Sequence, residues 1–312
     1  MTPDRYNVVL VGLGRIALGY DLEGPADVVF THAGACKAHR EVNLVAGVDI
    51  SADARTRFSA HTGVPAFVSV PEALSHVGRP DIAIVATPAP VRLDVIRQLV
   101  EAQPGVLLVE KPLAQTLEEG RDIVDLCRRQ NVPLAVNYVR RFDPVLSHGP
   151  VPNGDRSLGN LAGFHIQFTG GLLENGSHYL DLLFAWFGKP ADPARLSKTV
   201  CEVAVAGVRG TVVEHTLEYG LGEMDVFLQR GRFRLLDYGE CYEISGVGPD
   251  PFFPAYRRLT RPPCPLPETG LARYQYHVLD RLVGHLRSGA PLPSTGDTAL
   301  DVLECCEKLG KA

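Results

Sequence analysis

Gly12-Leu13-Gly14-Arg15-Ile16-Ala17 closes the apolar run Asn7–Val11 in the pattern GxGxxA. Each small residue has a use in gripping a pyrophosphate. The first glycine permits a tight turn, and the second removes a side chain where phosphate must approach the backbone. Ala17 lets the next helix pack close, with its N–H groups and dipole facing the phosphates. Gly12, Leu13, Gly14, Arg15 and Ile16 are therefore the expected phosphate-side contacts of a dinucleotide. A second apolar run, Leu44–Asp49, ends in an acid. A carboxylate there accepts hydrogen bonds from both ribose hydroxyls and repels a 2′-phosphate, which favours NAD, while Arg55 nearby leaves NADP open. The alternative for Asp49 is an acid at the N-cap side of a helix opening at Ser51. The gap from Ala17 to Asp49 exceeds the usual ~20 residues. The surplus reads as an extended loop across Gly19–Cys36.

Two further residues have types suited to proton transfer. Lys111 follows the apolar run Val106–Val109. That places it at the carboxyl edge of a parallel sheet, where open α/β sheets bind ligands. Beside an oxidised nicotinamide its pKa would fall, making the amine a usable acid or base. Otherwise it is a surface lysine before a turn. His178 stands at the start of a predicted helix, Ser177–Phe187, whose N-terminus would keep the imidazole neutral. Asp181, three residues on, could orient the ring. The alternative is a histidine that caps the helix. The remaining histidines show no ligand spacing, so no metal is expected.

The elements that must position these groups follow a strand–helix alternation over the first ~135 residues. Asn7–Val11, Leu44–Asp49, Ile82–Ala86, Val106–Val109 and Leu134–Val136 are short β-branched runs of the kind buried on both faces of a parallel sheet. Ser51 can cap one intervening helix. Ser69 with Glu72 and Thr116 with Glu119 form capping boxes for two more, and apolar spacing over Val91–Gln103 marks a fourth. After Asn137 the style changes. A Pro- and Gly-rich loop covers Asp143–Gly159. Strand-like runs follow at Leu161–Thr169, Thr199–Ala206, Thr211–Tyr219, Glu223–Gln229, Gly231–Tyr238 and Cys241–Ser245, with turn signals between them. Helices are expected at Leu271–Ser288 and Asp297–Leu309, and Pro249–Pro267 reads as a loop. The fold class is α/β: a doubly wound parallel Rossmann sheet over residues 1–136. An α+β domain on a largely antiparallel, open-faced sheet is expected over 137–312.

Composition narrows the partners. The formal net charge is −5 and charged residues are 21%, which argues against a general nucleic-acid binder. The longest apolar runs fall far short of the ~20 residues of a membrane span. No basic-then-apolar leader is evident, so a cytoplasmic chain is expected. Seven cysteines without a CxxC pair suggest neither a disulfide framework nor a zinc site.

Glu110-Lys111-Pro112-Leu113, taken with the glycine loop, resembles the signature of the Gfo/Idh/MocA oxidoreductases, the glucose–fructose oxidoreductase and inositol dehydrogenase relatives. Three further segments resemble that family in order. They are Val85-Ala86-Thr87-Pro88, Asn137-Tyr-Val-Arg-Arg141-Phe-Asp-Pro144, and Gly170-Gly-Leu-Leu-Glu174-Asn-Gly176-Ser-His178-Tyr-Leu-Asp181. The resemblance implies that Thr87, Pro88, Glu110 and Lys111 touch the cofactor. It also implies that Lys111, Arg141, Glu174 and His178 touch substrate, and that Lys111, His178, Glu174 and Asp181 form the catalytic group. Glu174 stands where the family has Asp. His32 resembles a family histidine near the glycine loop, and the Lys111–Pro112 bond is expected to be cis. The activity implied is NAD(P)-dependent hydride transfer on a sugar, cyclitol or sugar nucleotide, by a dehydrogenase or ketoreductase. Alternatives are an NAD-dependent glycosidase of the same family and a non-catalytic dinucleotide-sensing regulator. An open sheet face bearing apolar strands implies a homodimer or homotetramer.

Overall fold

The structure, a computed structural model, describes residues 5–25, 27–151, 154–260 and 264–310. Pro152 and Asn153 of the first predicted loop and residues 261–263 of the second lie outside the described residues. The chain forms two compact units, Met1–Phe142 with Ala272–Leu300, and Asp143–Leu271 with Asp301–Ala312.

The first unit carries strands β1 (Tyr6–Val11), β2 (Val42–Val48), β3 (Ala66–Phe67), β4 (Ile82–Val85), β5 (Val106–Val109) and β6 (Leu134–Val136). They pair in the order β3-β2-β1-β4-β5-β6, all parallel. This is the doubly wound order with its switch point between β1 and β4. β4 and β5 are buried at every residue, as expected for strands covered on both faces. The capping signals hold. Ser51, Ser69 and Thr116 accept from backbone N–H groups at the starts of α3 (Ala52–Thr62), α4 (Val70–Val77) and α6 (Leu117–Arg129). Between α4 and α6 lies α5 (Arg92–Glu101).

Two expectations need correction here. The stretch Gly19–Cys36 is not the one extended loop expected but is largely helical. Arg15–Gly19 forms a π-helical turn, then a single turn α1 (Tyr20–Glu23), and helix resumes only as α2 (His32–Ala38). The expected loop across Gly19–Cys36 is thus confined to the stretch between α1 and α2. Asp21 ties that stretch down, accepting from the Phe30 N–H at 2.8 Å and the Thr31 hydroxyl at 2.5 Å. The second correction concerns the chain's return. A single cut after residue 136 does not describe the two units, because α8 (Tyr274–Ser288) packs against α2. Val278, Leu279, Leu282 and Val283 of α8 are buried in the core with Val8, Leu10, Ile84 and Leu108. Each such aliphatic side chain contributes roughly 1.5–3 kcal/mol on burial.

The second unit is built on an eight-stranded sheet. Its strands are β7 (Leu161–Phe168), β8 (Pro190–Arg195), β9 (Val200–Val205), β10 (Val208–Glu214), β11 (Gly222–Leu228), β12 (Gly231–Leu236), β13 (Cys241–Pro249) and β14 (Arg257–Leu259). The order is β14-β13-β12-β11-β7-β10-β9-β8. β7 and β10 run parallel and every other neighbouring pair is antiparallel. The edge strands β8 and β14 were not expected. α7 (Ser177–Phe187) covers one face, with Trp186 edge-on to Phe233 at 5.4 Å. On the other face, β11–β13 carry an ionic group. Asp225 accepts from Arg232 and Arg234, and Arg234 also reaches Glu243 at 3.3 Å. Phe227 lies under the Arg232 guanidinium. Alternation sends Met224, Val226, Leu228, Phe233 and Leu235 to the buried side and Asp225, Arg232 and Arg234 outward, together with Phe227. Around β11–β13 this face is therefore largely ionic, where an apolar surface was expected. α9 (Gly296–Gly310) closes the chain.

Candidate active site

The glycine loop sits at the switch point of the first sheet. Gly12 has φ +89°, and a Cβ on it would lie 2.7–2.8 Å from the backbone of Ala86 and Thr87. Only glycine lets β1 turn this close to the loop after β4. Gly14 is different. A Cβ there would meet no atom within 4 Å, so the fold leaves open space where the fingerprint needs an approaching phosphate. Thr87 adds a second sign of a ligand: its Oγ1 is buried and has no hydrogen-bond partner among the described residues. Pro88 follows, exposed, ahead of the 3-10 turn Ala89–Val91.

Asp49 follows β2. One carboxylate oxygen accepts from the Leu13 N–H at 2.8 Å and the other from the Ser51 N–H at 2.8 Å. The acid thus braces the glycine loop and stands before the N-cap of α3. Arg55 donates to the carbonyls of Asp49 and Ile50 at 2.8 and 3.0 Å.

Glu110 and Lys111 leave β5, and the Lys111–Pro112 bond is cis as expected. Glu110 is the centre of a buried polar group. Its Oε1 pairs with His32 Nε2 at 2.8 Å and accepts from Asn137 Nδ2 at 2.6 Å. Asn137 Nδ2 also reaches Gln275 Oε1 at 3.3 Å. Burial alone would raise the Glu110 pKa. The bonds from His32 and Asn137 and the nearby Arg92 charge outweigh it and hold the carboxyl below its ordinary value. Arg141 donates to the carbonyl of Pro293.

In the second unit, Leu172–Gly176 forms a π-helical turn that runs directly into α7. Helical backbone therefore begins at Leu172, and His178 is not at a free helix start as expected. The dipole argument for its neutrality weakens accordingly. His178 and Asp181 still stand one turn apart, His178 half-buried and Asp181 buried. Glu174 is exposed in the turn ahead of them. Asn175 anchors that turn by donating to the Thr169 carbonyl at 2.7 Å. No cluster of His, Cys, Asp or Glu able to hold a metal occurs among the described residues, and no helix of theirs is long and apolar enough to cross a membrane.

Sequence reasoning missed Arg92, Asn137 and Gln275 as parts of this site. Arg92 had no motif to mark it. Asn137 opened a recognised segment but had no assigned role. Gln275 lies 138 residues from its partner Asn137.

A parallel sheet in this order, a glycine turn at its switch point and an acid closing the second strand define a dinucleotide-binding unit. Residues 6–138 match the GFO_IDH_MocA family, described as an oxidoreductase family with an NAD-binding Rossmann fold. The resemblance read from the sequence is borne out over this stretch. Levoglucosan dehydrogenase of Pseudarthrobacter phenanthrenivorans is 24% identical over 223 residues, 70% of this chain. The matched stretch spans only about half, 51%, of that relative. Among solved structures, UDP-N-acetylglucosamine 3-dehydrogenase GnnA from Acidithiobacillus ferrooxidans aligns with TM-score 0.77 at 16% identity. It covers 98% of this chain and 96% of that one. The WlbA dehydrogenase from Bordetella pertussis, in complex with NADH and UDP-GlcNAcA, aligns with TM-score 0.76 at 18% identity. It covers 100% and 97% of the two chains. At these identities the structural likeness speaks for the fold.

Proposed function

We propose that this protein uses NAD to move a hydride between the nicotinamide and a secondary alcohol or ketone of a sugar, cyclitol or sugar nucleotide. The observation that carries this reading is the carboxyl edge of the first sheet. There Gly14 leaves room for a phosphate, Thr87 presents an unsatisfied hydroxyl, and the next strand ends in Glu110 and Lys111. Gly12, Leu13, Gly14, Arg15 and Ile16 hold the pyrophosphate, Asp49 the adenosine ribose, and Thr87, Pro88 and Glu110 the rest of the dinucleotide. The nicotinamide supplies hydride transfer. Lys111 and His178 relay the hydroxyl proton, Asp181 orients His178, and Glu174 and Arg141 contact substrate hydroxyls. The carbohydrate class is supported by the names of the relatives, levoglucosan and UDP-N-acetylglucosamine dehydrogenases among them.

The test is a panel of levoglucosan, UDP-N-acetylglucosamine and free cyclitols with NAD, read by nicotinamide absorbance. At least one member is expected to turn over. Lys111→Ala is expected to lower kcat by about 10²-fold or more, the range of a general acid–base group, with NADH affinity largely kept. Full turnover in Lys111→Ala removes the relay. Tight NADH binding with no turnover across the panel points to a sensor. Sugar release without net absorbance change points to a glycosidase.

A further inference from the structure

Arg92 breaks a local rule. It opens α5 directly after the 3-10 turn Ala89–Val91, and it is a buried guanidinium, 3% exposed. Among the described residues it makes no ion pair. Its partners are backbone carbonyls. Nη2 donates to Thr87 O at 2.6 Å. Nη1 donates to Glu110 O at 2.7 Å, to Pro112 O, and at 3.4 Å to Leu113 O. These carbonyls belong to the loop after β4 and the turn after β5, on either side of Lys111. Burial lowers the Arg92 pKa to about 10, with Glu110 and Glu119 acting against the drop, so the cation persists near neutral pH. A planar fork of donors can hold several carbonyls at once, whereas an ammonium is a single point. A guanidinium held in the interior against its solvation has another task, and sites that break local rules are where function is expected.

We propose that Arg92 is a positioning residue that clamps the Glu110–Lys111–Pro112 turn to the Thr87 loop, so that the Lys111 amine is held against the bound dinucleotide. This rests on the placement of Lys111 proposed above. The clamp concerns two loops of one unit and requires no contact with substrate.

The clamp and its use can be read separately in the full-length protein. Amide hydrogen exchange without ligand reads the clamp. In Arg92→Met, residues 109–115 and 87–91 are expected to exchange about tenfold faster, with residues 6–11 unchanged, and Arg92→Lys to lie between. Acetylation of Lys111, followed by mass spectrometry with and without NADH, reads the use. NADH is expected to protect Lys111 in wild type. That protection is expected to drop by about threefold or more in Arg92→Met at saturating NADH, and to recover in part in Arg92→Lys. Should Arg92→Met not fold, Arg92→Lys carries both measurements. Unchanged exchange at 109–115 overturns the clamp, whatever NADH does. Faster exchange with undiminished protection makes Arg92 a fold residue alone, and also overturns the proposal. A wild-type Lys111 that NADH leaves unprotected while bound sinks the placement of Lys111 itself, and the proposal with it.

Discussion

Gly14→Ala is expected to leave the fold intact while weakening NADH, a separation that few substitutions in a binding loop would give. The Gly14 backbone lies at φ −79°, ψ −154°, an extended conformation open to any residue, and the added methyl group would meet no protein atom within 4 Å. Removing glycine's freedom from the unfolded chain stabilises by about 0.4–1 kcal/mol. For a unit of this size that is a rise of roughly 1–4 °C in Tm. Gly12→Ala is the contrast. Its φ of +89° and the 2.7 Å approach to Ala86 add left-handed strain of about 1–2 kcal/mol to a backbone displacement, so it melts lower. Cofactor affinity does not follow that division. A methyl group in the pyrophosphate's space costs at least one charge-assisted hydrogen bond, roughly 1.5–3 kcal/mol. The corresponding rise in Kd is roughly 10- to 150-fold. Thermal melting followed by circular dichroism, paired with NADH titration by fluorescence, measures both quantities on the same samples. A Gly14→Ala protein that melts with wild type and binds NADH equally well would refute the placement of the phosphate.

Two more perturbations probe the same edge. Asp49→Ala is expected to lower NADH affinity more than NADPH affinity, narrowing the preference by about tenfold. Titration with both cofactors measures this, and an unchanged ratio removes Asp49 from the ribose. Glu110 gives a pH signature. Its carboxyl is depressed on folding, so its stabilisation is fully present above the unfolded value of ~4.3 and is lost as pH falls through the lower folded value. Glu110→Gln is expected to be destabilised at neutral pH by about 1–3 kcal/mol. It is also expected to lose less Tm than wild type on acidification, and parallel Tm–pH curves would contradict the His32–Glu110–Asn137 account.

The legible parts of this fold are those whose signal is local. Ile82–Val85 and Val106–Val109 are buried at every position, so each reads as an unbroken apolar run. Ser51, Ser69 and Thr116 announce their helices because a cap is chemistry between near neighbours. The edge strands escaped for the converse reason. Pro190–Arg195 contains two prolines and lies half-open, and Arg257–Leu259 is exposed throughout, so neither carries an alternating apolar pattern. Ala66–Phe67 is too short to show a period at all. The site divides in the same way. Gly12, Asp49 and Lys111 are marked by their position after apolar runs. The partners that hold them are not, since Arg92 grips carbonyls that any residue supplies and Glu110 finds His32 78 residues away. The offset of His178 from a helix start was hidden because Leu172–Gly176 coils as a π turn, a form with no reliable sequence signal.

The return of α8 to the first unit has a consequence for biosynthesis. Val278, Leu279, Leu282 and Val283 complete a hydrophobic core whose other members are already present by Phe142. A nascent chain leaving the ribosome must carry that half-finished interior, with its apolar wall uncovered, until well over a hundred further residues have been translated. Chaperone dependence should therefore be greatest in that interval, and a stop codon placed after Phe142 should yield insoluble polypeptide rather than a minimal nucleotide-binding module.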